Sequence, residues 1–478
     1  MRTAFAFPLL AFATAGVVFA TSCSDSSNTT SSSTGGHTSS SSASNGSGGS
    51  GASSSTSTST ASHMGGAPPD ASIKGPCELP GSIQYFDNGN VHVVPGGEPT
   101  CQGAAQTGVC QGDLSFLKLP GGFCAHYYGH VGNARQLRFA PGGELFVASP
   151  TTLTTGGGSG GKSAILVLPD DDKDGYGDKN ITFLSGLPST QGLLFANDHF
   201  YYQDDTLIRK MAYAPGQRHA QSQGAVVADI TFYTSGLHWP KVLDIADDGT
   251  IYVGNGGDQG EQCQSQHPFH GGILKLDGSI GGAEVAKGFR NPIAIRCARG
   301  KNRCFAAELA KDFSSDEGGR EKIVPIRQGD DWGFPCCATK GTPYQSVGPN
   351  PNCGGVTQDT DSFFIGDTPF GIAFQSQTAP WPAPWNDKAI IVLHGAAGSW
   401  TGARVVAIDV DPDTGLLKSG TNIHGHNDEG ALESFATGWD DNSLAHGRPA
   451  AADFSDDGRL FIANDNNGDI FWVAPLSF

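Results

Sequence analysis

The chain has 478 residues, with 47 acidic against 29 basic side chains and a formal net charge of −18. That balance excludes nucleic acid as a general partner, since such partners require a basic face. An anionic ligand would have to be held by local Arg or Lys against the acidic background.

The first element in chain order is an apolar run from Ala4 to Ala20, preceded by Arg2 and followed by small residues. It reads as a secretion signal over residues 1–22, too short for a membrane span. The tail Ala20-Thr21-Ser22-Cys23 is similar to the lipobox of bacterial lipoproteins, which makes Cys23 the expected lipidation site. Residues 23–72 follow as a Ser/Thr/Gly-rich tether, with no Leu, Ile, Val or aromatic residue between Ser24 and Ser72. Such a segment has nothing to bury and is expected to be disordered. The protein is thus expected to be exported and held at the cell envelope, touching the membrane through its lipid alone. Residues 73–478 form the expected folded domain, with a Cys-containing extension at its start. Setting Cys23 aside, ten of the 11 Cys remain. That even number suits a disulfide framework, and Cys297 and Cys304 could pair across the hairpin CARGKNRC. The remaining pairings stay open.

Six stretches of the folded part share one pattern. They are NARQLRFAPGGELFVAS from Asn133, TQGLLFANDHFYYQ from Thr190, HWPKVLDIADDGTIYVGNG from His238 and RNPIAIRCARGKNRCFAAE from Arg290. TPFGIAF from Thr368, rejoined at DKAIIVLHG, and GRPAAADFSDDGRLFIAND from Gly447 complete the set. Each has an alternating apolar strand, a turn and a second strand rich in Val, Ile, Phe or Tyr, which is a hairpin signal. The spacing leaves room for two more strands per unit. An all-β, six-bladed β-propeller is the expected architecture, with stacked jelly rolls as the alternative.

In a propeller, the turn entering each innermost strand lies at one end of the central channel. The residues at that place are Arg135, Gln191, His238, Arg290 with Asn291, Thr368 and Arg448, expected within three residues of a common register. Three guanidiniums, amides and an imidazole converging there would suit a flat polyanion and a proton transfer. Elsewhere, PDDDKDGYGDK sets Asp170, Asp172, Asp174 and Asp178 around a Gly. That spacing resembles the first part of a calcium loop, though no Glu closes it. It predicts a structural calcium rather than a catalytic one.

Over residues 125–476 the sequence resembles the soluble quinoprotein sugar dehydrogenases, including glucose/sorbosone dehydrogenase-like and pyranose dehydrogenase-like propellers. The resemblance rests on GFRNPIAI, HWPKVLDIADDGTIYVGNGGDQG, EKIVPIRQGDDWGFP and GRPAAADFSDDGRLFIAND. It implies oxidation of an aldose or related sugar or aldehyde, with pyrroloquinoline quinone (PQQ) and calcium as cofactors and an unknown downstream electron acceptor. His238 matches the general base, Arg290 the arginine near substrate and quinone oxygen, and Gln191 a polar active-site residue. Asn291 and Arg448 match cofactor contacts; Arg135, Thr368 and His394 are expected beside the cofactor. Calcium would take the carbonyls of Leu309 and Ala310, where the family has a Gly-Pro pair. His394, within VLHGAAGSW, stands where glucose-oxidising members supply a lysine, so a glucose preference is not implied. A metal-dependent lactonase-like hydrolase and a non-enzymatic sugar-binding propeller are the rival readings.

Overall fold

The computed structural model describes residues 75–96, 112–150, 163–230, 238–257, 263, 269, 271–310, 321–344, 351–357, 363–365, 368–375, 377–396, 400–417, 433–441 and 446–477. The expected signal, Cys23 and the whole tether lie outside them, as do Cys101 and Cys110.

Six sheets, each of at least four antiparallel strands, form six blades in chain order. The innermost strands are Gln136–Phe139, Leu193–Ala196, Leu243–Ile245, Asn291–Ala298, Pro369–Phe374 and Arg448–Phe454. Each pairs with the next strand through the hairpins expected from the sequence. The turns close on short polar side chains: Asp248 Oδ1 accepts from Thr250 N at 2.9 Å, an aspartate standing in for a backbone acceptor.

The ring closes by joining the two ends of the domain. Phe123–His130 adds to the sixth blade by pairing with Asp469–Pro475, and the short strands Ile83–Tyr85 and Val91–Val93 extend that sheet outward. The disulfide Cys77–Cys124 ties the N-terminal extension to the closing strand. Cys297–Cys304 forms across directly paired residues of its hairpin, as the sequence allowed. Cys263–Cys336 and Cys337–Cys353 complete the bridges among the described residues.

The blades pack face to face, so middle strands are apolar on both sides; Lys388–Leu393 is buried at every position. Rings fill the gaps between blades. Phe146, Phe183, Phe195, Phe200 and Tyr213 meet mostly edge to face between blades one and two, with Phe195 and Phe200 stacked. Trp381, Trp385 and Phe435 do the same around Phe123. Each such ring contributes roughly 1.5–3 kcal/mol of burial. At the axis, Ile293, Phe370 and Ala450 from three different innermost strands pack into one small apolar cluster, with Leu309 against it.

Candidate active site

The N-terminal ends of the innermost strands do form one mouth, but their register is looser than expected. Asn291 and Arg448 are first residues of their strands, whereas His238 lies five residues before Leu243. The reason is local: the connection carrying His238 folds back onto the end of the next strand. His238 is 1% exposed, and its Nδ1 lies 2.6 Å from the carbonyl oxygen of Gly257. A carbonyl only accepts, so Nδ1 carries the proton, and the neutral ring keeps its basic lone pair on Nε2.

The same turn fixes the next blade. Gly257 N donates to the carbonyl of Arg290 at 2.6 Å. A methyl group on Gly256 would stand 2.6 Å from His238 Cβ and 2.9 Å from Asn291 Oδ1, so glycine is required for this approach. His238, Arg290 and Asn291 are therefore neighbours, as expected. Blade two joins them through Gln203, whose Oε1 accepts from Gln191 N and Lys241 N and whose Nε2 donates to Trp239 O. Gln191 itself is fully buried.

On the other side of the mouth, a second group combines blades one, five and six. The Arg135 guanidinium lies 4.6 Å above the Phe370 ring, and His394 stacks on that ring at 4.4 Å. Arg135 Nη1 donates to Asp465 Oδ2 at 3.2 Å, and His394 Nε2 lies 3.3 Å from the same oxygen. Arg448 donates to the carbonyls of His394 and Gly395 at 2.9 and 2.7 Å. Burial, opposed by Asp465 and reinforced by Arg448 and Arg135, lowers His394 to about 4, so the imidazole is neutral at physiological pH. Thr368 has φ +61°, a costly conformation for a β-branched residue; its carbonyl accepts from His394 N at 2.8 Å. Strain of this kind collects where side chains must be aimed.

Asp465 and Asn464 were not singled out in the sequence. They end the second strand of blade six, which pairs back onto Arg448 and Pro449; the hairpin pattern held this signal, had second-strand ends been read as well. His446, by contrast, turns to Asp441 at 2.8 Å and stacks on Phe116.

Several buried atoms of the mouth have no hydrogen-bond partner among the described residues: both amide atoms of Gln191, Asn291 Oδ1, Asn464 Oδ1, Asp465 Oδ1, Thr190 Oγ1 and Arg135 Nε. Buried polar atoms left so are costly. Together they outline a polar ligand with both donors and acceptors. A multi-carboxylate quinone fits this set, with guanidiniums and amides at its edge. The expected calcium carbonyls fit less simply. Ala310 O already accepts from Arg290 Nη1 at 2.9 Å, so a cation there would share that oxygen with a guanidinium. Leu309 is paired with Asn291 in the ladder. The other acidic positions lie apart from the mouth, on the connection between the third and fourth strands of blade one. There Asp170, Asp172 and Asp174 bring carboxylate oxygens within 4.8 Å of one another, while Asp178 Oδ2 instead accepts from Asp171 N at 2.6 Å.

No family model matches the sequence, and no curated protein matches it. Solved structures do resemble the fold. A Trichoderma reesei carbohydrate-active enzyme of family AA12, in its calcium structure, aligns with TM-score 0.58 at 16% identity, covering 75% of this chain and 97% of that one. The holo PQQ domain of pyranose dehydrogenase from Coprinopsis cinerea aligns with TM-score 0.52 at 15% identity, covering 75% and 96%. A glucose dehydrogenase aligns with TM-score 0.51 at 14% identity, covering 73% and 98%. The six-bladed propeller is the fold this chain shares with them.

Proposed function

We propose that this protein is an exported quinoprotein that oxidises an aldose or a related sugar or aldehyde, using PQQ with calcium. The observation that carries the reading is the mouth itself, where a buried histidine with its tautomer fixed adjoins an Arg-Asn pair and a ring of unsatisfied buried polar atoms. The PQQ domain and the sugar dehydrogenase among the fold neighbours support the same reading. The bridges Cys77–Cys124, Cys263–Cys336, Cys297–Cys304 and Cys337–Cys353 suit an oxidising compartment.

PQQ, when bound, supplies the hydride acceptor that no side chain provides. Arg448 and Arg135 would hold its carboxylates, with Asn291, Thr368 and His394 along its edge. His238 Nε2 takes the proton from the sugar hydroxyl at the carbon being oxidised. Arg290, buried beside it, stabilises negative charge developing on the acceptor side. Gln191 orients the sugar through its amide. A calcium at the carbonyls of Leu309 and Ala310 would have to share the Ala310 oxygen with Arg290 Nη1.

The test adds PQQ and calcium to purified protein and follows the quinone spectrum and aldose-dependent dye reduction. His238→Ala should lower turnover about 10²–10⁴-fold while PQQ still binds. Tight PQQ binding with no oxidation of any sugar, polyol or aldehyde would overturn the dehydrogenase assignment. Absence of PQQ binding would favour a sugar-binding propeller without redox chemistry.

A further inference from the structure

We infer that the loop 170–178 is a calcium site that latches the closure of the ring, separate from the axial mouth and independent of any quinone. The first observation is the convergence of Asp170, Asp172 and Asp174 within 4.8 Å. The second concerns Asp170 alone. Its side chain is only 10% exposed, yet its Oδ1 has no hydrogen-bond partner among the described residues. A nine-tenths buried carboxylate oxygen left unpartnered beside two other carboxylates is an arrangement a cation resolves. The facing charges are few: Arg459 Nη1 lies 3.8 Å from Asp170 Oδ2, and Lys173 is exposed on the same turn. Neither donates a hydrogen bond into the cluster. Asp171 is directed away, paired with Arg218 of blade two.

The ligand class follows from the donors. Oxygen-only, carboxylate-rich and built on alternate residues, the set suits a hard cation of calcium's size, with water and a backbone carbonyl completing the shell.

The position of the loop turns binding into a latch. Trp472 Nε1, in the last strand of the domain, donates to Gly175 O at 2.9 Å. Gly177 N donates to Tyr128 O at 2.7 Å on the closing strand. Tyr176 packs on His126 of that strand, and its hydroxyl donates to Pro80 O in the N-terminal extension at 3.3 Å. One short loop thus grips the closing strand, the last strand and the extension that together complete the sixth blade. Fixing its shape with a metal fixes the seam.

Quinone-free protein is stripped with chelator and titrated with calcium, and with terbium as a luminescent probe excited through Trp472. Calcium at about 100 times its Kd should raise Tm by about 3 °C and slow amide exchange in 123–130 and 469–475. Terbium emission should appear and be displaced by calcium. Asp172→Asn with Asp174→Asn should abolish all three effects, while Asp171→Asn should retain them; Asp174→Asn alone serves if the double variant does not fold. No terbium emission, or a Tm shift that survives the double variant, would overturn the site. Binding that leaves seam exchange unchanged would overturn the latch. Because no quinone or sugar is present, failure here leaves the dehydrogenase reading untouched, and the reverse also holds.

Discussion

The two ends of the axial well contain similar residues in different states of satisfaction. Deeper along the axis than the mouth, Arg138 of blade one donates to the carbonyls of Leu193 and Leu243 in blades two and three. Arg296 of blade four donates likewise to Ile372 and Ala452 in blades five and six. Asp244 accepts from Cys297 N, and Asp453 from Phe139 N, each reaching the following blade. Arg296 and Asp453 also pair at 2.8 Å. At the mouth, Arg135, Asn291, Gln191, Asn464 and Asp465 each keep at least one buried polar atom without a partner among the described residues. Arginines and carboxylates therefore do not mark a ligand site by their presence. What distinguishes the mouth is hydrogen-bonding capacity that the protein leaves unused.

Substitutions should separate the two ends. The largest effect is expected where every bond is made: Arg296→Met strands Asp453 without its nearest counter-charge and should cost about 3–5 kcal/mol in denaturant unfolding. A loss under 1 kcal/mol would show that the lower end is not a staple. Next comes pH. Because His394 is lowered to about 4, its neutral form contributes stability that is present above about pH 6.5 and lost as pH falls toward 4. The loss should be on the order of 2–3 kcal/mol. His394→Gln should flatten that limb, and an unchanged acid profile would refute the assignment. The smallest effect has the opposite sign. Gln191→Leu removes two unpartnered buried atoms at similar volume and should stabilise the ligand-free protein by roughly 1 kcal/mol, while weakening ligand binding measured by calorimetry. Destabilisation would mean that the amide serves the fold.

The ring was legible because blade-forming hairpins repeat, and alternation with polar turns survives large loop insertions. The cations of the mouth were legible for a related reason: Arg135, Arg290 and Arg448 stand just ahead of, or at the start of, apolar strands, where a core residue is otherwise expected. Asp465 was not, because its partner Arg135 is 330 residues away and only ring closure brings them together. The staple escaped for a different reason. Arg138 and Arg296 lie inside QLRF and IAIRCA, where a charge interrupts an apolar strand, yet attention to strand entries alone passes over it. His238 lay outside the shared register because its placement depends on a glycine turn in the following strand, a contact that periodicity does not encode.

The staple beneath the axis also ties the ring into two arcs: Arg138 binds blade one to blades two and three, and Arg296 binds blade four to blades five and six. No innermost strand can then leave the ring without breaking a buried guanidinium bond, so their amides should exchange together rather than blade by blade.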